Sequence, residues 1–135
     1  MEQVTEVNET ILVDTDILID AGRGLPDAVS FLEGTESNFA LAICAITKME
    51  LIVGCRSRNE LRAVEQFLER FSLIRVNESI TDISMDLLRR YRLSHGLLIP
   101  DAMIGATAIS MNSSFATKNQ KDFRFISGLN LLAYP

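Results

Sequence analysis

The stretch Ile11-Leu12-Val13-Asp14-Thr15-Asp16-Ile17-Leu18-Ile19 decides the fold of this chain. Three consecutive apolar residues that end at an acid are typical of a short strand buried on both faces, as in a parallel sheet. We predict a turn at Thr15-Asp16, followed by an apolar segment over residues 17–21. A carboxylate directly after such a strand is costly to bury unless it is paired, hydrogen-bonded or bound to a cation.

Two more acids share this apolar setting. Glu50 lies within Met-Glu-Leu-Ile-Val, and Asp101 follows Leu-Leu-Ile-Pro. A fourth acid, Asp122, stands close to Asn119. The sequence around Asp14, Glu50 and Asp101 offers no basic partner except Lys48, so a bound divalent metal is the economical explanation for these acids.

The composition limits the class of protein. With 135 residues, of which 47% are apolar, the chain matches one domain with a sizeable core. Its net charge of -5 argues against a protein that holds nucleic acid by charge alone. A nuclease remains compatible, because metal ions in an acidic cleft reverse the local charge. Six arginines are candidates either for phosphate contacts or for solvated helix faces: Arg56, Arg58, Arg62, Arg89, Arg90 and Arg92.

The sequence also bears on location and on metal type. No apolar run approaches the roughly 20 residues of a membrane span, and residues 1–10 are too acidic for a secretory signal. We therefore expect a cytoplasmic protein without a membrane partner. Cys44 and Cys55 lack metal-ligand spacing and are predicted to be reduced structural thiols. A single His rules out a multi-histidine metal site.

Strands and helices alternate along the chain. The predicted strands cover residues 11–13, 39–44, 73–76, 113–117 and 129–133. The predicted helices cover residues 26–34, a segment from Ile46, residues 59–71, a segment from a Ser79 or Thr81 cap to Gly96, and a segment from Pro100. Residues 119–122 are predicted as a loop or helical turn. This alternation indicates an α/β fold, in which a mainly parallel sheet of four to five strands has helices on both sides.

The helical spacing and the sheet edge suggest where the acids lie. Ile46, Met49, Glu50 and Val53 recur every three or four residues, so we expect Glu50 to point to the apolar side. In parallel sheets, sites form at the carboxyl ends of the strands near a switch in strand order. We therefore expect the separate acids to converge at that edge. The helix over 59–71 turns one apolar face to the core or to a partner, through Leu61, Val64, Phe67 and Leu68.

Four blocks of the sequence carry a resemblance to a known family. They are Val13-Asp14-Thr15-Asp16-Ile17-Leu18-Ile19, Ile46-Thr47-Lys48-Met49-Glu50-Leu51 with Gly54, Pro100-Asp101-Ala102-Met103-Ile104-Gly105-Ala106-Thr107-Ala108, and Ala116-Thr117-Lys118-Asn119-Gln120-Lys121-Asp122-Phe123. In this order the blocks resemble the PIN-domain ribonucleases, and within them the VapC-like toxins of type II toxin-antitoxin systems. The resemblance covers residues 11–135 and leaves residues 1–10 as an N-terminal extension.

The resemblance implies a three-layer α/β/α sandwich and a metal-dependent endoribonuclease. It also implies Mg²⁺ or Mn²⁺ as cofactor, an RNA substrate, a cognate antitoxin and a homodimer. Contact with DNA is implied only indirectly, through the antitoxin. Oxygen ligands without His or Cys are consistent with Mg²⁺ or Mn²⁺ rather than zinc.

The resemblance assigns roles to individual residues. Asp14, Glu50 and Asp101 match the three acidic positions that hold metal. The fourth position falls to Asp122 or to Asn119. We hypothesise that Asp14 and Asp101 bind the principal ion and that Glu50 binds a second ion or orients the attacking water.

Two hydroxyl residues support the predicted site. Thr117 matches a hydroxyl position near the metals, and Thr15 is a supporting residue. Asp16 departs from the family pattern, which usually has Asn there. It adds either a stray charge or an outer-shell contact.

Structural interpretations and rival functions stand beside this hypothesis. Taken singly, Asp14 fits a strand-end turn, Asp101 a helix cap, and Glu50 a pair with Lys48. Asp122 fits the start of a turn. Asp14-Thr15-Asp16 also fits the opening motif of haloacid-dehalogenase-like phosphatases, but Asp101 lacks the second acid that they need. A catalytically inactive scaffold with the same fold is the other alternative.

Overall fold

The structure is a computed structural model that describes residues 9–135. Most of the predicted N-terminal extension lies outside the described residues. Its last residue, Thr10, belongs to the first strand. Within residues 9–135, no helix combines the length and the apolarity that crossing a membrane requires.

A five-stranded sheet forms the centre of the molecule. Its strands are β1 (Thr10–Val13), β2 (Ala40–Cys44), β3 (Ser72–Ile74), β4 (Ser114–Ala116) and β5 (Asn130–Leu131). They lie in the order β3-β2-β1-β4-β5, and every neighbouring pair is parallel. The predicted α/β class and the upper limit of the predicted strand number are confirmed.

Within residues 9–135, six α-helices connect these strands. They are α1 (Thr15–Gly22), α2 (Pro26–Glu36), α3 (Ala45–Val53), α4 (Arg58–Leu68), α5 (Glu78–His95) and α6 (Ile99–Met111). A 3₁₀ turn covers Gln120–Asp122, within the predicted loop or helical turn. The helix predicted from Pro26 to Gly34 runs two residues further, and the one predicted to reach Phe71 ends at Leu68.

Two predictions about helix starts are wrong. No turn separates β1 from α1, because the Asp14 side chain caps the helix directly and α1 begins at Thr15. The N-cap of α5 is neither Ser79 nor Thr81. It is Asn77, whose side chain accepts a hydrogen bond from the Ile80 amide at 2.9 Å.

The sheet is covered on both faces, as the predicted three-layer sandwich requires. Successive side chains of a strand point to opposite faces. Leu12 of β1 therefore packs with α5 and α6, in a core that contains Leu87 and Ile104. Ile11 and Val13 face the other way, toward α1, α2 and α4.

The chain order of the strands reverses at β1, which pairs with β2 on one side and β4 on the other. Asp14 directly follows β1, and Thr117 directly follows β4. The Asp14 amide donates to the Ala116 carbonyl at 2.9 Å, which holds the two strand ends together. This switch in strand order is where parallel sheets open a crevice for ligands.

Candidate active site

Asp14 is the buried centre of the site, with 6% of its surface exposed. Its Oδ1 accepts a hydrogen bond from the Thr15 amide at 2.8 Å. Its Oδ2 accepts one from the Thr117 hydroxyl at 2.7 Å. Asp14 thus has a structural role as a helix cap, and both of its oxygens have fixed directions.

Asp16 is a member of the site that the predicted residue set lacked. Its Oδ2 accepts hydrogen bonds from the Thr117 hydroxyl at 3.2 Å and from the Asn119 amide at 3.1 Å. The Lys118 amide lies at 3.4 Å from Oδ1. Thr117 therefore links Asp14 to Asp16, and Asp16 fastens the segment after β4 to the first turn of α1.

Glu50 reaches the site from the surface. The prediction that it faces the apolar interior is wrong, because Thr47 is the buried residue of α3, whereas Met49 and Val53 are 57% and 83% exposed. Glu50 itself is exposed. Its Oε1 accepts a hydrogen bond from the Thr15 hydroxyl at 2.7 Å, which brings it to the start of α1. The Thr15 hydroxyl also lies 3.1 Å from that of Thr47.

The alternative pairing of Glu50 with Lys48 does not occur. Lys48 approaches Glu65 instead, at 3.9 Å. Lys118, the cation next to the site residue Thr117, forms an ion pair with the buried Asp20 at 2.8 Å. Hydrogen bonding to Asp20 raises the pKa of Lys118. Neither lysine neutralises the acids of the site.

Asp101 lies half-buried in the first turn of α6. Among the described residues, no group donates a hydrogen bond to its side chain, so it is not a side-chain cap of this helix. Asp101 and Asp122 line the same cavity of about 170 Å³. Asn119 contributes its backbone amide to Asp16. Of the two candidates for the fourth position, Asp122 is therefore the one that lies beside Asp101.

Burial and the neighbouring acids raise the pKa values of Asp14 and Asp101. Burial, followed by repulsion from Asp16, raises the pKa of Asp14 to about 7, although its hydrogen bonds from Thr117 and Thr15 act in the opposite direction. Burial, followed by repulsion from Asp122 and Glu50, raises the pKa of Asp101 to about 6. The separate acids of the sequence thus lie close enough at one edge of the sheet to interact electrostatically.

The donor set fits a hard divalent cation, because it consists of carboxylate oxygens in a setting where like charges repel. The side chains do not form a finished cage. Within residues 9–135, no three His, Cys, Asp or Glu side chains stand at the spacing of a metal-ligand set. Convergence is therefore looser than the sequence pattern indicated, and the metal ligands remain a prediction.

Comparisons with known proteins agree with the fold. The family model described as PIN domain matches residues 11–128. Ribonuclease VapC19 of Mycobacterium tuberculosis is 37% identical over 114 residues, which cover 83% of this chain and 90% of that protein. Ribonuclease VapC1 of Methanocaldococcus jannaschii is 32% identical over 92% of this chain and 86% of that protein.

Solved structures of toxin-antitoxin proteins have a similar fold. VapBC2 from Rickettsia felis, bound to a DNA fragment from its promoter, superposes with a TM-score of 0.79 at 27% identity, covering 93% of this chain and 99% of that one. A toxin-antitoxin complex from Klebsiella pneumoniae superposes with a TM-score of 0.77 at 33% identity, covering 91% of this chain and 96% of that one.

Proposed function

This chain belongs to the PIN-domain family, and we propose from that membership that it is the endoribonuclease toxin of a toxin-antitoxin pair. Its relatives named ribonuclease match most of its length, and its structural neighbours include toxin-antitoxin complexes. The observation that supports the proposal is that Asp14 and Asp101 lie near enough to Asp16, Glu50 and Asp122 for these acids to raise their pKa values. Membership in this family removes the haloacid-dehalogenase alternative.

Asp14, Asp101 and Glu50 are the proposed ligands of Mg²⁺ or Mn²⁺, and Asp122 completes the acidic edge. Bound divalent ions would supply positive charge to the scissile phosphate and lower the pKa of a water molecule. The protein's own groups prepare this chemistry. Thr117 fixes the outward direction of Asp14, and Thr15 holds Glu50 at the same edge.

The test is cleavage of a fluorogenic RNA by the purified full-length chain, free of antitoxin. We expect cleavage with Mg²⁺ or Mn²⁺, none with EDTA, and a fall to the metal-free level in Asp14→Asn and Asp101→Asn. The matched control is Asp82→Asn, which changes an exposed acid of α5 and should cleave as wild type does.

Two results would contradict the proposal. One is cleavage at the wild-type rate by Asp14→Asn or Asp101→Asn. The other is a chain that cleaves no RNA and whose melting temperature does not respond to Mg²⁺ or Mn²⁺, because a ligand of the native state should raise it. The second result would favour the inactive scaffold.

A groove beside Glu50 supports the proposed antitoxin partner. It has a volume of about 780 Å³ between α1, α3 and α4, and its lining includes Ile19, Arg23, Arg56 and Phe67. We assign it to an apolar segment of the antitoxin. Ile19→Asp should leave RNA cleavage intact but release the toxin from neutralisation in a growth assay with its antitoxin. Leu93→Asp, on the exposed face of α5, is the control.

A second apolar groove supports a homodimer. It lies between α5 and the start of α6, has a volume of about 850 Å³, and includes the partly exposed Met85, Leu98 and Ile99. Light scattering should give twice the chain mass for wild type and the monomer mass for Met85→Asp. Val53→Asp, which alters another exposed apolar residue, should remain dimeric.

An endoribonuclease acts where RNA is present, so we place this protein in the cytoplasm. Contact with DNA is proposed only through the antitoxin. The DNA-bound state belongs to the VapBC2 structure from Rickettsia felis.

A further inference from the structure

An aromatic stack lies next to the acidic edge. His95, the last residue of α5, stacks on Phe125 with ring centroids 4.1 Å apart and ring planes 12° from parallel. Tyr91 packs its ring against both of them, at centroid distances of 5.9 and 5.2 Å. His95 is exposed, and Phe125 is partly buried. An exposed ring stacked in this way contributes little to the core, so its position calls for another explanation.

The stack is part of the cavity that contains the site acids. His95 and Phe125 line the space of about 170 Å³ that Asp101 and Asp122 also line. Lys121 contributes a positive charge to the same lining, and Leu98 an apolar surface. A flat ring, a cation and the site carboxylates therefore border one small space.

Several contacts hold the segments that carry His95 and Phe125. Gly96 has a φ of 72°, a left-handed conformation that suits glycine and ends α5 directly after His95. Arg92 donates from its Nη1 to the carbonyls of Gly96 and Leu97, at 3.0 and 3.2 Å. The Ser127 amide donates to the Tyr91 hydroxyl at 3.1 Å, so the segment around Phe125 is tied to α5. The His95 ring thus lies against Phe125, in a segment that is hydrogen-bonded to α5.

We propose that this cavity binds the nucleobase adjacent to the scissile phosphate, with the His95 ring as its stacking surface. The inference rests on the proposed ribonuclease function and deepens it. Single-stranded RNA is bound by stacking of its bases on aromatic rings, including His, together with cations along the backbone. Lys121 supplies such a cation, and a metal ion held by Asp101 would bind the scissile phosphate beside this cavity.

The substrate class follows from the stacking. A base within a duplex is already stacked between its neighbours, so only an unpaired or unstacked base can lie on His95. Every base presents a flat face, and the stack therefore selects an unpaired nucleotide rather than one base identity. The His95 stack is therefore the feature of this cavity that would hold an unpaired base next to the cleavage site.

The experiment compares His95→Ala with His95→Phe. The probe is a short fluorescent oligoribonucleotide spanning a cleavage site, which is mapped by sequencing the ends of RNA that the wild type has cut. Binding is measured by anisotropy in the Asp14→Asn background, and kcat/KM in the otherwise wild-type chain. His95→Ala should weaken both by about 5- to 150-fold, the usual effect of losing one stacked base. His95→Phe, which keeps a flat ring, should restore them.

A modified probe tests the base itself. Replacing the nucleotide next to the cleavage site by an abasic one should weaken binding to wild type by a similar factor and should not further weaken binding to His95→Ala. Phe125→Leu, which removes the support of the ring, should behave like His95→Ala. The matched control is Phe39→Leu, a partly buried Phe that precedes β2 at the opposite edge of the sheet.

The outcomes separate this inference from the proposed function. A wild-type chain that cleaves RNA while His95→Ala binds and cleaves equally well refutes the stacking site alone. The same holds if His95→Phe fails like His95→Ala, or if the abasic probe binds like the intact one. A wild-type chain that neither binds nor cleaves RNA refutes the proposed function and the stacking site together.

Discussion

The two halves of the acidic edge are held very differently. In the inner half, Asp14 and Asp16 accept hydrogen bonds from Thr15, Thr117 and Asn119. The outer half consists of Glu50, Asp101 and Asp122. Among the described residues, these three carboxylates accept one hydrogen bond, from the Thr15 hydroxyl to Glu50. The protein itself therefore orients the inner carboxylates. In the outer half, no described residue donates a hydrogen bond to Asp101 or Asp122, and burial followed by repulsion raises the pKa of Asp101. A cation has more to organise in the outer half.

The largest expected effect is the change of the free energy of unfolding with pH. In the metal-free chain the pKa values of Asp14 and Asp101 are raised to about 7 and about 6, above the ordinary value of 3.8. Between the ordinary and the raised values the native state binds more protons than the unfolded state, so the free energy of unfolding falls as pH rises from about 4 to about 7. A tenfold difference in proton affinity between the native and the unfolded state changes the free energy of unfolding by about 1.4 kcal/mol for one carboxyl group.

Urea titrations between about pH 4 and pH 8 measure this slope. With EDTA we expect the fall to occur mainly below pH 7 and to level off above it. Saturating Mn²⁺ should flatten the slope, because a bound cation favours the ionised acids. Stability that increases with pH over this range in the metal-free chain would contradict the assigned environments.

Next in size is the gain in stability when one acid is neutralised. At about pH 8 without metal, Asp14→Asn should stabilise the chain more than Asp101→Asn, because Asp14 is more deeply buried and its pKa is raised further. The expected gain is on the order of a few kcal/mol for Asp14→Asn. Asn also remains a good helix cap, so α1 keeps its start. Asp82→Asn is the control, and equal melting temperatures for all three variants would refute the prediction.

A smaller effect is expected from Thr117→Val, which removes the hydroxyl shared by Asp14 and Asp16 but preserves the shape of a fully buried side chain. Loss of such an orienting group should lower Mn²⁺ affinity and kcat/KM by about 10- to 100-fold. Calorimetry and the RNA assay measure the two quantities. Thr117→Ser restores the hydroxyl and should recover most of both.

The smallest effect is expected from Thr15→Val in the outer half. It removes the hydrogen bond to the exposed Glu50, and a single bond of this kind contributes about 0.5 to 1.5 kcal/mol. We expect kcat/KM to fall by about 2- to 10-fold. If Thr15→Val proves more harmful than Thr117→Val, the distinction between an oriented inner half and a loose outer half is wrong.

Short apolar runs and helical spacing are local properties, so the sequence predicts all five strands and five of the six α-helices within residues 9–135. Helix α1 is the exception, since it is predicted only as an apolar segment after a turn. The ends of the elements were less predictable. The last strand was expected over residues 129–133 but covers Asn130–Leu131, and the helix from residue 59 ends three residues early. The packing of neighbouring segments determines where such elements end, and the local spacing of apolar residues does not reveal that packing.

The site was predicted in part for the same reason. Asp14 was identified because a buried strand leads directly into it. Glu50 was placed on the correct helix but with the wrong burial, since periodicity shows which residues share a face and not whether that face is covered. The role of Asp16 depends on Thr117 and Asn119, about 100 residues away in the chain. No local pattern reveals such a contact.

The double use of Asp14 has an evolutionary consequence. The side chain that caps α1 is also the proposed metal ligand, and Asn performs the first task without the second. The single change Asp14→Asn would therefore abolish the proposed metal binding but leave the surface of the protein unchanged. The inactive protein would still bind the proposed antitoxin. In a cell that makes both forms, the inactive form would therefore compete for the antitoxin and leave more of the active form uninhibited.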